Sequence, residues 1–429
     1  MYPNQYPNPQ KPGFPAQPVY AVPTAPPGVA PVYPSGYHPA AGQVPGYSGY
    51  PQSHQGYPGQ VIPPQMQVPM GFSAAPSYPG MIPQMQGYPG APAGQPVQLA
   101  PVDAPKLSES LTGYKEKPTI KEIKSDPRSD ALVLRKAMKG IGTDETAITN
   151  VLTKRTNKQC LEIAKTFKAD HGKDLIKNLK SELSGHVEKL TVALVTPRCQ
   201  YLAGRLHKAI AGLGTREIVL LDILCTSSNA EIKAISDAYK QLFKKTLEND
   251  ISGDTSGHFC KFLVCLCQAK RDEKAVVNKD ASKNDAQALY KAGEKRIGTD
   301  ESTFIRIFTS SSFPQIRSIM KDYEVVSCGT SLKKAVKKEF SGNLKTGLIT
   351  ILEVAENKAV YFAKRLHESV AGAGTNDGDL IYICVTRAEI DMENIKQEYV
   401  KKQNNTMAQA ISGDTSGDYK KMLLGLVGH

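Results

Sequence analysis

Charge is nearly missing from the first 105 of this chain's 429 residues, which carry one lysine, Lys11, and one aspartate, Asp103. Leucine is nearly missing there too, with Leu99 the single example, whereas 26 of the 30 prolines, 10 of the 19 tyrosines and 13 of the 35 glycines fall in this part. So little apolar side chain cannot offset the entropy lost on folding, which excludes one uniform globular body. Long apolar runs are absent throughout. Stretches such as Ile218–Leu221 and Leu263–Cys267 fall far short of the ~20 residues of a membrane-spanning helix. The start, MYPNQYPNPQ, has neither a basic cluster nor an apolar stretch, so no secretory signal is read there and a cytoplasmic protein is expected. C-x-x-C pairs are also lacking. The closest of the eight cysteines, Cys265 and Cys267, point apart on a helix, so reduced thiols used as small core residues are expected rather than a zinc site.

What is present divides in two. The 324 residues after the tail hold 52 basic and 40 acidic side chains, the whole of the +12 net charge. Within the tail, residues 1–105, tyrosine recurs beside proline and glycine, as in Gly49-Tyr50-Pro51, Gly56-Tyr57-Pro58 and Gly87-Tyr88-Pro89. Proline and glycine remove helix and strand options and leave the rings as contact points on a flexible string. Two readings stand: a solvated spacer, or an arm for weak self-association and docking. Residues 106–126, where charge returns, read as a linker lying on the folded part.

The folded part repeats itself. An apolar-glycine signature occurs as Met138-Lys139-Gly140-Ile141-Gly142-Thr143, Ile210-Ala211-Gly212-Leu213-Gly214-Thr215, Lys295-Arg296-Ile297-Gly298-Thr299 and Val370-Ala371-Gly372-Ala373-Gly374-Thr375. Its second glycines are 72, 84 and 76 residues apart, a period that means four similar units. The units are placed at 127–197, 198–270, 271–355 and 356–429, with the polar run Arg271–Asp285 read as a linker between halves. Apolar stripes at helical spacing fill each unit. In the first they are Leu134/Ala137/Met138, Ile148/Val151/Leu152, Leu161/Ala164/Phe167, Leu175/Leu179 and Leu190/Ala193/Leu194, with Asp130 expected to cap the opening helix. Strand alternation is absent. An all-α protein of five short helices per unit is expected.

Each signature falls between two helices and so is a loop. Glycines at nearly adjacent positions allow backbone angles that turn several carbonyls outward together, and carbonyls are hard donors suited to Ca2+. A carboxylate must complete the charge. Glu182, Asp254 and Asp414 each stand 40 residues after the second glycine of a loop, and Glu339 stands 41 after Gly298. Their contexts are related: Ser181-Glu182-Leu183-Ser184-Gly185, Gly253-Asp254-Thr255-Ser256-Gly257, Lys338-Glu339-Phe340-Ser341-Gly342 and Gly413-Asp414-Thr415-Ser416-Gly417. A further acid follows each loop threonine by two positions (Glu145, Glu217, Glu301 and Asp377), a candidate with Thr143 for an auxiliary ion, although helix N-terminal capping is the favoured reading. No EF-hand is present, since the nearest imitation, from Asp280, has Asp285 where the turn needs glycine. Nor is there a phosphate-binding P-loop.

These four loops and four distant acids resemble the annexin core over residues 127–429, and the tail is similar to those of long-tailed annexins. The resemblance implies a curved disc of four five-helix repeats, with Ca2+ and acidic phospholipid on its convex face and the N-terminal segment on its concave face. It also implies ligand sets. The first would be the carbonyls of Met138, Gly140 and Gly142 with Glu182; the second Ile210, Gly212 and Gly214 with Asp254. The fourth would be Val370, Gly372 and Gly374 with Asp414, and the third, whose loop departs from the pattern, Gly293, Arg296 and Gly298 with Glu339. One carboxylate and three carbonyls leave an ion with excess charge and open positions, so affinity in solution is expected at about 10⁻⁴ M or weaker. A lipid phosphate or carboxylate would fill those positions, so ion and membrane strengthen each other, and four sites would act together. The tips Ile141, Leu213 and Ile297 are candidate membrane contacts.

A conducting pore is not expected. Arg155 and Arg387 have Ser227 and Ser311 at the equivalent positions of the other units, and Leu202 and Tyr382 stand where the family has charge, leaving Asp222 with few partners. The segment Gln10-Lys11-Pro12-Gly13-Phe14 partly resembles a docking site for penta-EF-hand proteins, with Gln10 where proline is expected. The basic core raises nucleic acid as a rival, but no RNP, KH or zinc-finger pattern supports a specific nucleic-acid partner. No catalytic function is expected, since His367-Glu368 lacks the second histidine of H-E-x-x-H and no nucleophile elbow occurs. The expected location is cytoplasmic and, in Ca2+, peripheral on membranes, with the nucleus left open as a second site.

Overall fold

The computed structural model describes residues 109–428 apart from Leu213 and Ala373. The tail, with the docking and self-association expected of it, and the Leu213 tip lie outside the described residues. Every regular element among the described residues is helical. After a short α1 (Glu109–Thr112), five helices make the first unit: α2 (Pro127–Ala137), α3 (Glu145–Leu152), α4 (Asn157–His171), α5 (Leu175–Glu182) and α6 (Gly185–Leu194). The second holds α7 (Arg198–Ile210), α8 (Glu217–Leu224), α9 (Asn229–Phe243), α10 (Leu247–Asp254) and α11 (Gly257–Cys267). The third continues with α12 (Lys279–Ala292), α13 (Glu301–Ser310), α14 (Phe313–Val326) and α15 (Leu332–Glu339). The span α16 (Gly342–Val370) is broken at Asn357, whose angles are non-helical, so it comprises the fifth helix of the third unit (342–356) and the first helix of the fourth (358–370). The fourth unit ends with α17 (Asp377–Arg387), α18 (Met392–Gln403), α19 (Met407–Asp414) and α20 (Gly417–Val427). No helix among them is long and apolar enough to cross a membrane.

The five stripes of the first unit supply its core: Leu134, Ile148, Leu152, Phe167, Leu179 and Leu190 are all buried. One aromatic position recurs in the third helix of every unit, as Phe167, Tyr239, Tyr323 and Tyr399, each almost fully buried. Three of these rings face the first helix of their unit, while Phe167 meets His171 of its own helix at 5.1 Å. Tyr239 meets His207 of α7, Tyr323 meets Tyr290 of α12, and Tyr399 meets His367 of α16. Burying each aromatic is worth roughly 1.5–3 kcal/mol, so these positions lock third helix to first helix in the second, third and fourth units.

Several expectations need correction. Asp130 does not cap α2. The cap is Asp126, whose carboxylate accepts from the amides of Arg128 (3.1 Å) and Ser129 (3.2 Å), with Pro127 as first helical residue. Asp130 is instead buried and paired with Arg155, whose Nε and Nη2 donate at 2.7 and 3.0 Å. The linker read at Arg271–Asp285 is shorter, because Asn278 caps α12 and residues from Lys279 onward are helical. Its first residue is not solvated: Arg271 donates to the Ser311 carbonyl at 2.7 Å and stacks on Phe313. All eight cysteines are free, but Cys328 is exposed in a loop rather than used as a core residue.

Asp222, expected to have few partners, has several. It is buried and accepts from Tyr361 Oη (2.5 Å) and from Arg365 Nε and Nη2 (both 3.0 Å). Arg365 also reaches Asp379 at 3.1 Å, and Arg205 reaches the same carboxylate at 2.8 Å, so the second and fourth units are joined by a buried charge network. Burial pushes the Asp222 carboxyl above its ordinary range against the opposing pull of Arg365. These partners lie 139 and 143 residues away along the chain, out of reach of any local pattern.

Residues 114–120 lie across the fourth unit as a strap, and the chain then reaches the first unit, where Gln159 Nε2 donates to the Ile123 carbonyl (2.6 Å) and to Ser125 Oγ (2.9 Å). The amides of Thr119 and Ile120 donate to the Ala388 carbonyl (2.9 and 3.0 Å), and Tyr114 Oη donates to Asp391 at 2.5 Å. Lys117 pairs twice, its amide to Asn394 Oδ1 (2.8 Å) and its carbonyl to the Glu393 amide (3.0 Å).

Candidate metal sites

The distant acids and the glycine loops meet at four places. Each acid is the last residue of an eight-residue helix: Glu182 of α5, Asp254 of α10, Glu339 of α15 and Asp414 of α19. Each helix opens with a buried Leu or Met and an N-cap from Asp174, Thr246, Ser331 or Thr406, which sets its register and so the position of its end. After the acid the chain turns extended for two residues and re-enters a helix at a glycine with positive φ (Gly185, Gly257, Gly342 or Gly417).

The loop threonine makes the connection. Thr215 Oγ1 donates to Asp254 Oδ2 at 2.5 Å, Thr299 to Glu339 Oε2 at 3.0 Å and Thr143 to Glu182 Oε2 at 3.4 Å. Thr375 donates to Asp414 in the same way. Each loop is closed by one backbone bond: Asp144 to Ala137 (3.0 Å), Arg216 to Ala209 (2.9 Å), Asp300 to Ala292 (2.8 Å) and Asn376 to Ser369 (2.7 Å). The third ring is one residue larger than the others, which accommodates the sequence Gly293-Glu294-Lys295-Arg296 in place of a shorter turn.

The loops form two geometric classes. In the first and fourth, both glycines have positive φ: Gly140 +117° and Gly142 +86°, Gly372 +113° and Gly374 +94°. In the second and third, only Gly214 (+81°) and Gly298 (+77°) do. The predicted carbonyl donors differ accordingly. Among the described residues nothing donates to the carbonyls of Met138, Gly140, Gly142, Gly212, Gly214, Arg296, Gly298, Val370, Gly372 or Gly374. The Ile210 carbonyl, by contrast, accepts from the Gly212 amide and the Gly293 carbonyl from the Arg296 amide, both at 3.0 Å.

Electrostatics at each place favour a cation. Two helix C-termini converge there, one leading into the loop and one ending in the acid, and each presents roughly half a negative charge. A carboxylate at such an end is held against an unfavourable dipole, a cost that a divalent ion reverses. The space in front is open: a Cβ at Gly140, Gly142, Gly214, Gly298, Gly372 or Gly374 would meet nothing within 4 Å. No cluster of three or more His, Cys, Asp or Glu exists among the described residues, and the candidate donors at each place are carbonyls with a single carboxylate. That donor set suits Ca2+ and not zinc or copper.

The auxiliary acids Glu145, Glu217, Glu301 and Asp377 are the first residues of α3, α8, α13 and α17, where the dipole favours them. The caps themselves are the preceding residues, Asp144, Asp300 and Asn376, while Arg216 makes no cap bond. Three of the acids meet a side chain from another unit: Glu217 accepts from Asn343 at 2.8 Å, Glu301 lies 3.7 Å from His258 and Asp377 lies 3.5 Å from His186. The sequence carried no signal for these contacts. At the loop tips, Ile141 and Ile297 are fully exposed, at 109% and 103%.

A family model described as Annexin matches residues 129–194, 201–266, 284–351 and 361–426. Annexin A7 of Homo sapiens is 45% identical over 353 residues, which cover 79% of this chain and 72% of that protein. Annexin A7 of Macaca fascicularis is 50% identical over 303 residues, covering 71% and 62% respectively. The chain thus spans between 62% and 72% of the length of these two relatives. Among solved structures, a calcium-bound annexin (Sm)1 superposes with a TM-score of 0.69 at 32% identity, covering 75% of this chain and 97% of that one.

Proposed function

Because the chain belongs to the annexin family, whose members are generally non-enzymatic, calcium-dependent phospholipid binders, we propose that it docks on acidic phospholipid membranes through four Ca2+ sites. The sites are the loop carbonyls already described, each set completed by Glu182, Asp254, Glu339 or Asp414. The observation that carries this reading is the fourfold threonine–acid bond, which holds a carboxylate beside outward carbonyls at converging helix ends. Ca2+ supplies the positive charge that joins protein oxygen to lipid phosphate or carboxylate. The chain's own part is to hold the donors, to leave ligand positions open and to present Ile141 and Ile297 to the headgroup layer.

Two consequences follow for the ligand sets. In the second and third loops the Ile210 and Gly293 carbonyls each accept one backbone bond, and the second lone pair of each oxygen remains for the ion, so both stay in the proposed ligand sets. The acids Glu145, Glu217, Glu301 and Asp377 are assigned to helix starts rather than to strong second sites.

Co-sedimentation with phosphatidylserine vesicles tests the reading. The protein should pellet in Ca2+ and release in chelator, and the variant with Glu182→Gln, Asp254→Asn, Glu339→Gln and Asp414→Asn together should stay in the supernatant. Pelleting that ignores chelator, or that survives the fourfold variant, overturns the proposal. For the tail, vesicle clustering and partner docking are proposed. A chain beginning at Pro105 should cluster vesicles less than the full chain, and equal clustering would identify the tail as a spacer.

A further inference from the structure

The third loop differs from the other three in charge as well as in shape. Lys295 and Arg296 stand at its tip, both exposed, where the first and fourth loops have a positive-φ glycine beside the tip residue. The helix bringing its acid, α15, reads LKKAVKKE and ends in exposed Lys337 and Lys338 immediately before Glu339. None of these four side chains forms a hydrogen bond or ion pair among the described residues. The neighbouring acids, in contrast, are engaged: Glu294 accepts from Tyr323 Oη (2.9 Å), Asp300 from Thr303 Oγ1 (2.7 Å) and Glu339 from Thr299 (3.0 Å). The corresponding helices of the second and fourth units, LENDISGD and MAQAISGD, contain no base at all. The first unit has Lys139, Lys177 and Lys180 but keeps glycine on both sides of its tip.

Unpaired cations beside a Ca2+ loop oppose the ion and attract its lipid partner. We infer that the third loop, with Lys295, Arg296, Lys337 and Lys338, is a calcium-independent contact for a lipid headgroup bearing several phosphates. This inference rests on the membrane face proposed above and adds to it a headgroup class and a mode of binding without the ion. A membrane lipid is the fitting partner because Lys295 and Arg296 directly precede Ile297, a fully exposed apolar tip that gains nothing from a soluble anion but is buried on entering the headgroup layer. A multiply charged headgroup fits better than a singly charged one because the Thr299–Glu339 bond ties the loop carrying Lys295 and Arg296 to the helix end carrying Lys337 and Lys338, so the fields of two basic pairs act on one side of the site.

Binding to phosphatidylcholine vesicles containing phosphatidylinositol bisphosphate, measured in chelator, tests the inference. Vesicles with phosphatidylserine at matched total charge provide the comparison. The full chain should bind the bisphosphate vesicles in chelator, should prefer them to the phosphatidylserine vesicles, and should release as salt is raised. Lys295→Ala/Lys337→Ala/Lys338→Ala should weaken that binding by about fivefold per lysine, on the order of a hundredfold together. Lys233→Ala/Lys240→Ala on α9 should leave it unchanged. Equal binding to both vesicle types in chelator, equal loss in the α9 variant, or equal affinity for the soluble headgroup would overturn the inference. The triple variant should keep calcium-dependent binding to phosphatidylserine, so failure of the parent reading is separately visible as loss of that binding in the unaltered chain.

Discussion

Gly212 and Gly372 stand at matching places in their loops yet occupy different backbone regions. Gly372 has φ +113°, a conformation from which a Cβ is repelled, whereas Gly212 lies outside that region and a Cβ there would only touch the Gly214 carbonyl at 3.8 Å. Gly372→Ala should therefore destabilise the protein by about 1–2 kcal/mol, and Gly212→Ala by much less. Equilibrium unfolding in urea distinguishes them. At this scale the sequence was legible where chemistry repeats and illegible where it does not. Four acids 40 or 41 residues after four G-T loops announced their partnership, and the structure adds the threonine hydroxyl that joins each pair. Nothing in the order of residues showed that the carbonyls of Ile210 and Gly293 would already be engaged. The choice between Asp126 and Asp130 as cap turned on Pro127, whose fixed φ and missing N–H suit the first helical position and so mark Asp126 as the residue before it.

Helices pack here through small residues as well as large ones. A Cβ on Gly347 of α16 would lie 2.6 Å from Phe262 of α11 and 3.2 Å from Leu221 of α8, so glycine sets how closely three helices approach. Gly347→Ala should cost about 1–3 kcal/mol of overpacking despite the better helix propensity of alanine. A lowered midpoint in thermal unfolding is the expected result. The strap offers a second test. Burial holds the Glu116 carboxyl above its ordinary range, with Arg387 pulling the other way. A raised pKa in the folded state means that this group favours folding while protonated and disfavours it once ionised. Glu116→Gln should thus stabilise the protein at neutral pH and make no difference below the carboxylate range, as thermal melts at the two pH values would show. Apolar stripes made the individual helices readable, because 3.6-residue spacing is written locally. The position of the break in α16, between the last helix of the third unit and the first of the fourth, was not. It depends on Asn357, the one residue there with non-helical angles, whose side chain accepts from the amides of Ala359 (2.9 Å) and Val360 (3.3 Å) and restarts the helix after the kink.

Across the whole described body, the second and fourth units are held by charge rather than by apolar contact alone. Asp222, Arg365, Asp379 and Arg205 form a chain of ion pairs in which each member is largely removed from water. Such pairs add little net stability relative to an apolar core, but removing one partner strands the other. Arg365→Ala should cost about 3–5 kcal/mol, leaving Asp222 with Tyr361 as its chief donor. Urea unfolding gives the magnitude, and faster amide exchange in α8 and α17 would place the loss between these units. Long separation along the chain is why this network escaped the sequence reading: charges at 222 and 365 share no period and no motif.

The threonine–acid bonds have a kinetic consequence. Each joins groups 39 or 40 positions apart, and closing a chain of that length costs about 3 kcal/mol of entropy. That cost is met when the protein folds, before any ion arrives. Under the proposed function, calcium would encounter sites whose walls already stand together, with no slow ordering step between ion arrival and membrane capture. The response to a calcium rise would then be timed by diffusion to the lipid surface, and its decay by how fast the ion leaves.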